Sequence, residues 1–201
     1  GALNASIPEA MRNSTLYETS YDASQDDTFV ILDASEPDVI PKFVNTDKIS
    51  LIADHHAGFE DYWKQKNVRT QIEQVGAVCA QVFEYWLAEN CIEKMTSATA
   101  QLLAAGILDN TLNFNASVTT QRDQHAYERL LQIAHLDTTW AQHYFHECTA
   151  EIIRNPKDAL LNDTKYIAIA GFSQKIYMGQ IIIWDAALLQ DVIDEARQVY
   201  A

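Results

Sequence analysis

Two short runs of uninterrupted apolar residues open the pattern of the chain. Phe29 to Leu32 ends at Asp33, with Ser35, Pro37 and Asp38 behind it as turn residues. Ile49 to Ala53 repeats the design and runs into Asp54, His55 and His56. A short, continuously apolar run bounded by turn signals predicts a strand buried on both faces, as in a parallel sheet. The stretch "VRTQIEQVG" predicts a third strand ending at Gly76. The pattern then changes period. Val78, Val82, Phe83, Trp86 and Leu87 recur at helical spacing, and Phe83, Tyr85 and Trp86 read as core. "TSATAQLLAAGILDNTLNF" predicts a helix with Thr96 or Ser97 as N-cap. "TTQRDQHAYERLLQIAHL" predicts another, capped by Thr119 or Thr120 with Asp123 in its early turn, and "TTWAQHYFHECTAEIIRNP" a further one stopped before Pro156.

Three strands followed mostly by helices indicate an α/β fold, a parallel sheet flanked by helices. After "NPKDALLND" the chain changes character. "KYIAIAG" and "KIYMGQIIIWD" read as a hairpin or adjacent strands, and "AALLQDVIDEARQVY" as a closing helix. The expected division is residues 1–155 as a first domain, then 156–201 as a linker and the opening strands and helix of a second, α+β domain.

Charge narrows the function classes. The 201-residue chain carries a formal net charge of −14, which repels phosphate backbones and argues against a nucleic-acid binder. A small anionic substrate stays open where metal ions supply local positive charge. Cys79, Cys91 and Cys148 are scattered and odd in number, which fits a reduced, cytoplasmic chain. No run reaches transmembrane length and "GALNASIPEAMRN" lacks a signal-peptide pattern, so no membrane partner is expected. The chain lacks an initiator Met and reads as an excised piece.

In an open parallel sheet, ligands bind at the carboxyl ends of the strands. Asp33 and the Asp54-His55-His56 triplet both fall there. Carboxylate oxygen and imidazole nitrogen together suit a divalent ion such as Mn²⁺, Co²⁺ or Zn²⁺. An isolated Asp at a strand end often serves only a turn, and a His-His pair can be a solvated loop.

The triplet at the end of an apolar strand resembles the signature of the DHH phosphoesterases, closest to manganese-dependent family II inorganic pyrophosphatases and exopolyphosphatases. "VILDASEPD" resembles that superfamily's second motif, and "AAGILDNTLNF" its fourth. The spacing of the blocks also suits the pyrophosphatase branch, and "NDTKYIAIAGFSQKIYMGQIIIWD" resembles the opening of the associated C-terminal domain. The resemblance implies that Asp33 bridges two metal ions, that His55 ligates metal, and that Asp54 orients it. His56 would face the substrate phosphate as the catalytic imidazole, with Lys165 as a second phosphate contact. It further implies Mn²⁺ (or Mg²⁺ or Co²⁺), two ions in a complete site, and hydrolysis of pyrophosphate or short polyphosphate by a metal-activated water. A homodimer is left open.

Two departures qualify the resemblance. The fourth motif's metal-binding Asp falls on Asn110, with Asp109 one position earlier; Asp109 is the preferred ligand because an amide binds a divalent ion less well. The first motif, an Asp-x-Asp on a strand, is absent, as is the basic motif of the complete C-terminal domain, so both ends read as cut. The alternative is therefore a non-catalytic module that binds metal or a phosphate ligand through an incomplete site. Other candidates are weaker. His143 and His146 beside Glu147 lack the His-Glu-x-x-His arrangement and read as a helix surface. Gly76 could seat a phosphate on backbone amides or serve close packing.

Overall fold

The strands form where the apolar runs predict them. The structure, a computed structural model, describes residues 4–7, 9–12, 18, 20–162, 164–167, 169, 171 and 176–199. Its helices and strands are α1 (Glu9–Arg12), β1 (Phe29–Leu32), β2 (Ile49–Asp54), α2 (Glu60–Gln65), β3 (Arg69–Ile72), α3 (Val78–Ala88) and α4 (Ser97–Thr111), followed by α5 (Gln121–Ala134), α6 (Trp140–Arg154), α7 (Pro156–Asn162), β4 (Thr164–Ile167), β5 (Ile176–Gly179) and α8 (Leu189–Val199). The chain divides into two compact units, residues 15–137 and residues 1–14 with 138–201. The boundary expected at 155/156 falls inside the second of these.

The first unit holds a three-stranded parallel sheet in the order β1-β2-β3. Leu32 pairs with Ala53 and Asp54 with Ile72, so the carboxyl ends of all three strands share one rim. Central placement buries Ile52, Ala53 and Asp54 of β2. Ile40, Ile49, Ile52 and Trp63 form a cluster on one face, joined by Phe29, Ile31 and Ile72. Helix α3 packs on β2, and α4 and α5 pack on α3.

Three expectations change here. Burial on both faces holds for the carboxyl half of β2 but not for β1, whose Val30 and Leu32 are 55 % and 46 % exposed. β1 is an edge strand with one face on the core, so alternate side chains point outward. β3 ends at Ile72 rather than Gly76, leaving residues 73–77 as a loop into α3. On α3, Phe83 is buried while Tyr85 and Trp86 are only half-buried.

In the second unit, Trp140, Tyr144 and Phe145 of α6 build an aromatic core, with Trp184 stacked on Phe145 at 4.5 Å. The Tyr144 hydroxyl donates to the Ser6 carbonyl at 2.9 Å, and Arg12 pairs with Glu151 at 2.9 Å. "PKDALLN", read as linker, folds as α7, with Pro156 in the first turn where its missing N–H costs nothing. β4 and β5 pair antiparallel, Thr164 opposite Gly179. Asp163 and the connection at 172–175 lie outside the described residues. No helix among the described residues is long and apolar enough to cross a membrane.

Candidate metal centre

The rim of the parallel sheet carries one cluster of potential metal-ligating side chains among the described residues. One ligand atom each from Asp33, Asp54, His55 and His56 lies within 4.8 Å of the others. Local backbone geometry explains how they converge. Asp33 directly follows β1, and its amide still bonds to Ala53 of β2 at 2.9 Å. Its φ is +60°, a left-handed conformation that Asp tolerates better than most residues. A non-Gly residue held there at a strand end is the kind of local strain that concentrates at functional positions.

Asp54 is 1 % exposed and acts as an organiser. Its Oδ1 accepts from the His55 amide at 2.7 Å, from the His56 amide at 3.1 Å and from the His56 ring Nδ1 at 2.8 Å. Burial works to raise the Asp54 pKa, but hydrogen bonds from Ser35, His56 and His55 outweigh it and hold the carboxyl below its ordinary range. Asp54 is therefore a carboxylate, and it reaches the backbone of His55 and both the backbone and ring of His56. Its Nδ1 engaged, the His56 ring leaves Nε2 outward on a side chain that is 67 % exposed. The two imidazoles stand perpendicular with centroids 4.4 Å apart.

The His55 ring is placed by a different group. Its Nδ1 lies 3.0 Å from the Val75 carbonyl. A carbonyl can only accept, so Nδ1 carries the proton, and in the neutral ring Nε2 presents a lone pair. That Nε2 lies 3.3 Å from Asp33 Oδ1. Two lone pairs facing each other at that distance repel unless a proton or a cation lies between them. This is the arrangement in which a second partner fixes a metal-ligating histidine. The donor set, hard oxygen with imidazole nitrogen, fits a divalent first-row ion.

Asp109 lies on α4, half-buried, and bears on this region through Cys79 of α3. Burial first, then the charges of Asp33 and Asp109, push the Cys79 thiol up to about 12. Both carboxylates thus act on one sulfur. The Asn110 side chain is exposed and donates back to the Gly106 carbonyl at 3.1 Å. Lys165 belongs to the other compact unit, exposed on β4 opposite Met178. His143 and His146 are exposed on α6.

Several contributors escape a sequence reading. Ser35 is buried, donates to the His56 carbonyl at 3.2 Å, and has its own carbonyl capped by the Trp63 indole at 2.6 Å. As one of several turn residues it carries no distinguishing signal. The Val75 carbonyl carries none at all, because every residue type offers the same acceptor. Asp123 is visible only as a helix-capping acid.

No family model matches the chain, and no curated protein does. Among solved structures, the chain is similar to a Methanococcus jannaschii protein described provisionally as a family II inorganic pyrophosphatase. The TM-score is 0.63 at 19 % identity, covering 85 % of this chain and 57 % of that one. The chain therefore spans less than two thirds of that protein's length, and at this identity the likeness is one of fold.

Proposed function

We propose that the centre built from Asp33, His55, Asp54 and His56 binds a divalent cation, and that the protein carrying it hydrolyses a phosphoanhydride, inorganic pyrophosphate or short polyphosphate. The observation that carries the reading is the His55 ring. Its Nδ1 is committed to Val75, and its Nε2 faces the Asp33 carboxylate at the carboxyl rim of a parallel sheet. Asp33 and His55 would hold the ion, with Asp109 as a further carboxylate and Asn110 as its weaker alternative. Bound there, a divalent ion such as Mn²⁺ supplies a water of lowered pKa and neutralises phosphate charge. Asp54 fixes the His56 imidazole, whose outward Nε2 is free to meet a phosphate oxygen. Lys165 is assigned to a second phosphate oxygen on the resemblance alone. The likeness in fold to a protein described as a pyrophosphatase supports this choice of substrate, and the net charge of −14 disfavours nucleic acid.

One observation favours the second reading, a metal-binding module without catalysis. The clustered donors suffice for one ion, whereas the resemblance implies two. The two readings separate in one assay, phosphate release from pyrophosphate with Mn²⁺, run beside Mn²⁺ binding. The enzyme reading expects release that His55→Ala lowers by at least tenfold, along with Mn²⁺ affinity. Binding without release selects the module. Equal Mn²⁺ affinity in wild type and His55→Ala sinks the assignment of the centre.

A further inference from the structure

The carboxylate of Asp123 is 0 % exposed and receives four hydrogen bonds. Oδ2 accepts from the Thr120 amide at 2.8 Å, the Thr120 hydroxyl at 2.6 Å and the Gly76 amide at 2.9 Å. Oδ1 accepts from the Ala77 amide at 2.9 Å. The Thr120 amide bond belongs to the capping box that starts α5, and the hydroxyl bond joins the same two residues. The Gly76 and Ala77 bonds do not. They come from the β3–α3 loop and do nothing for the end of α5. The loop sits close enough to need glycine: a Cβ on Gly76 would lie 2.7 Å from Asp123 Oδ2 and 2.8 Å from Thr111 Cγ2.

Gly76 and Ala77 directly follow Val75, whose carbonyl takes the His55 Nδ1 proton. A buried carboxylate that accepts two successive amides fixes the peptide planes around them, and the preceding carbonyl is tied to the first of those planes. We propose that Asp123 is a positioning residue for the candidate metal centre. It holds the Gly76 and Ala77 amides, sets the Val75 carbonyl, and through that carbonyl sets the ring orientation and tautomer of His55. The consequence for metal affinity rests on the reading of His55 as a ligand; the placement of the His55 ring does not.

The test uses the full chain. Nitrogen-15 correlation spectra of the histidine rings, recorded metal-free at about pH 8 where an ordinary histidine is neutral, report which nitrogen of His55 carries the proton. Wild type is expected to show a single Nδ1–H form. Asp123→Asn is expected to convert it to an averaged mixture and to weaken Mn²⁺ binding, measured by calorimetry, about tenfold or more. Gly76→Ala drives a methyl group against Asp123 and Thr111, which forces the loop away from the carboxylate, and carries the same expectation. Thr120→Ala weakens the cap but keeps the amide bonds to Asp123, and should leave the His55 spectrum as in wild type. Unchanged His55 shifts in Asp123→Asn and Gly76→Ala overturn the proposal. So does an equal change in Thr120→Ala, which would assign the effect to the cap. Loss of folding in both Asp123→Asn and Gly76→Ala also overturns it, since Asp123 would then serve the fold. A wild-type chain with the single tautomer but no Mn²⁺ binding defeats the metal reading and leaves the positioning role standing.

Discussion

Gly106 of α4 lies against the Cys79 thiol of α3, so closely that a methyl group on Gly106 would collide with the sulfur. The absence of a side chain lets the two helices close here, one turn before Asp109. Alanine normally stabilises a helix interior over glycine by about 1 kcal/mol. Here the overlap dominates, and Gly106→Ala is expected to destabilise the chain by roughly 1–3 kcal/mol. Adding Cys79→Ala makes room, so the double variant should recover most of that loss. Urea unfolding of the four proteins measures the coupling. Additive effects would mean that the helices shift apart at little cost.

The same thiol reports on the acidic groups above it. With its pKa pushed up to about 12 by burial and by Asp33 and Asp109, Cys79 should react with iodoacetamide at pH 8 on the order of a thousandfold slower than an unperturbed thiol. Asp109→Asn removes one of the charges and should speed the reaction several-fold. Peptide mass spectrometry follows the site. An unchanged rate in Asp109→Asn would place that carboxylate away from Cys79 and return Asn110 to consideration.

Asp33 combines backbone strain with a candidate ligand. At φ +60°, a left-handed residue with a Cβ costs about 1–2 kcal/mol, which glycine avoids while losing more chain entropy on folding. Asp33→Gly should therefore match wild type in metal-free stability to within about 1 kcal/mol, yet bind Mn²⁺ at least tenfold more weakly. Urea unfolding and calorimetry give the two numbers. A large loss of stability would mean that the Asp33 side chain serves the fold.

Acid should weaken the second unit through Glu151. Burial works to raise its pKa, but the hydrogen bond and charge of Arg12, with Asn155 and Arg154, outweigh this and hold it below its ordinary 4.5. A group with a depressed folded pKa stabilises fully above its unfolded value, and that stability disappears as pH falls through the folded value. Glu151→Gln should thus cost up to about 1 kcal/mol at pH 6, and that cost should shrink as pH falls below the ordinary 4.5. Thermal unfolding across that range checks it. A difference that does not shrink with falling pH would mean that the effect is packing.

The parts of the site visible in sequence are those whose signal is local. Asp33 and the His55-His56 pair are marked by their position at the ends of apolar runs. Thr96, which accepts from the Thr99 amide at 3.1 Å, and Thr120 with Asp123 are marked as caps by the helices they precede. β1 reads correctly as a strand but not in its burial, because an apolar run does not tell an edge strand from a central one. α7 hides in a segment with turn residues at both ends, and β3 stops four residues before the glycine that looks like its end.

The sequence by itself determined the α/β architecture, the order of its strands along the chain and the residue types at the rim of the sheet. These follow from periodicity and capping, which act over a few neighbouring residues. Only the tertiary structure decided how the rim is wired. Asp54 serves the His56 ring, the Val75 carbonyl serves the His55 ring, and Asp123, 47 positions from Gly76, holds the loop that carries Val75. Backbone carbonyls and amides look the same at every residue. Which ones meet a side chain is set by how distant segments close on one another, and local patterns carry no record of that closure.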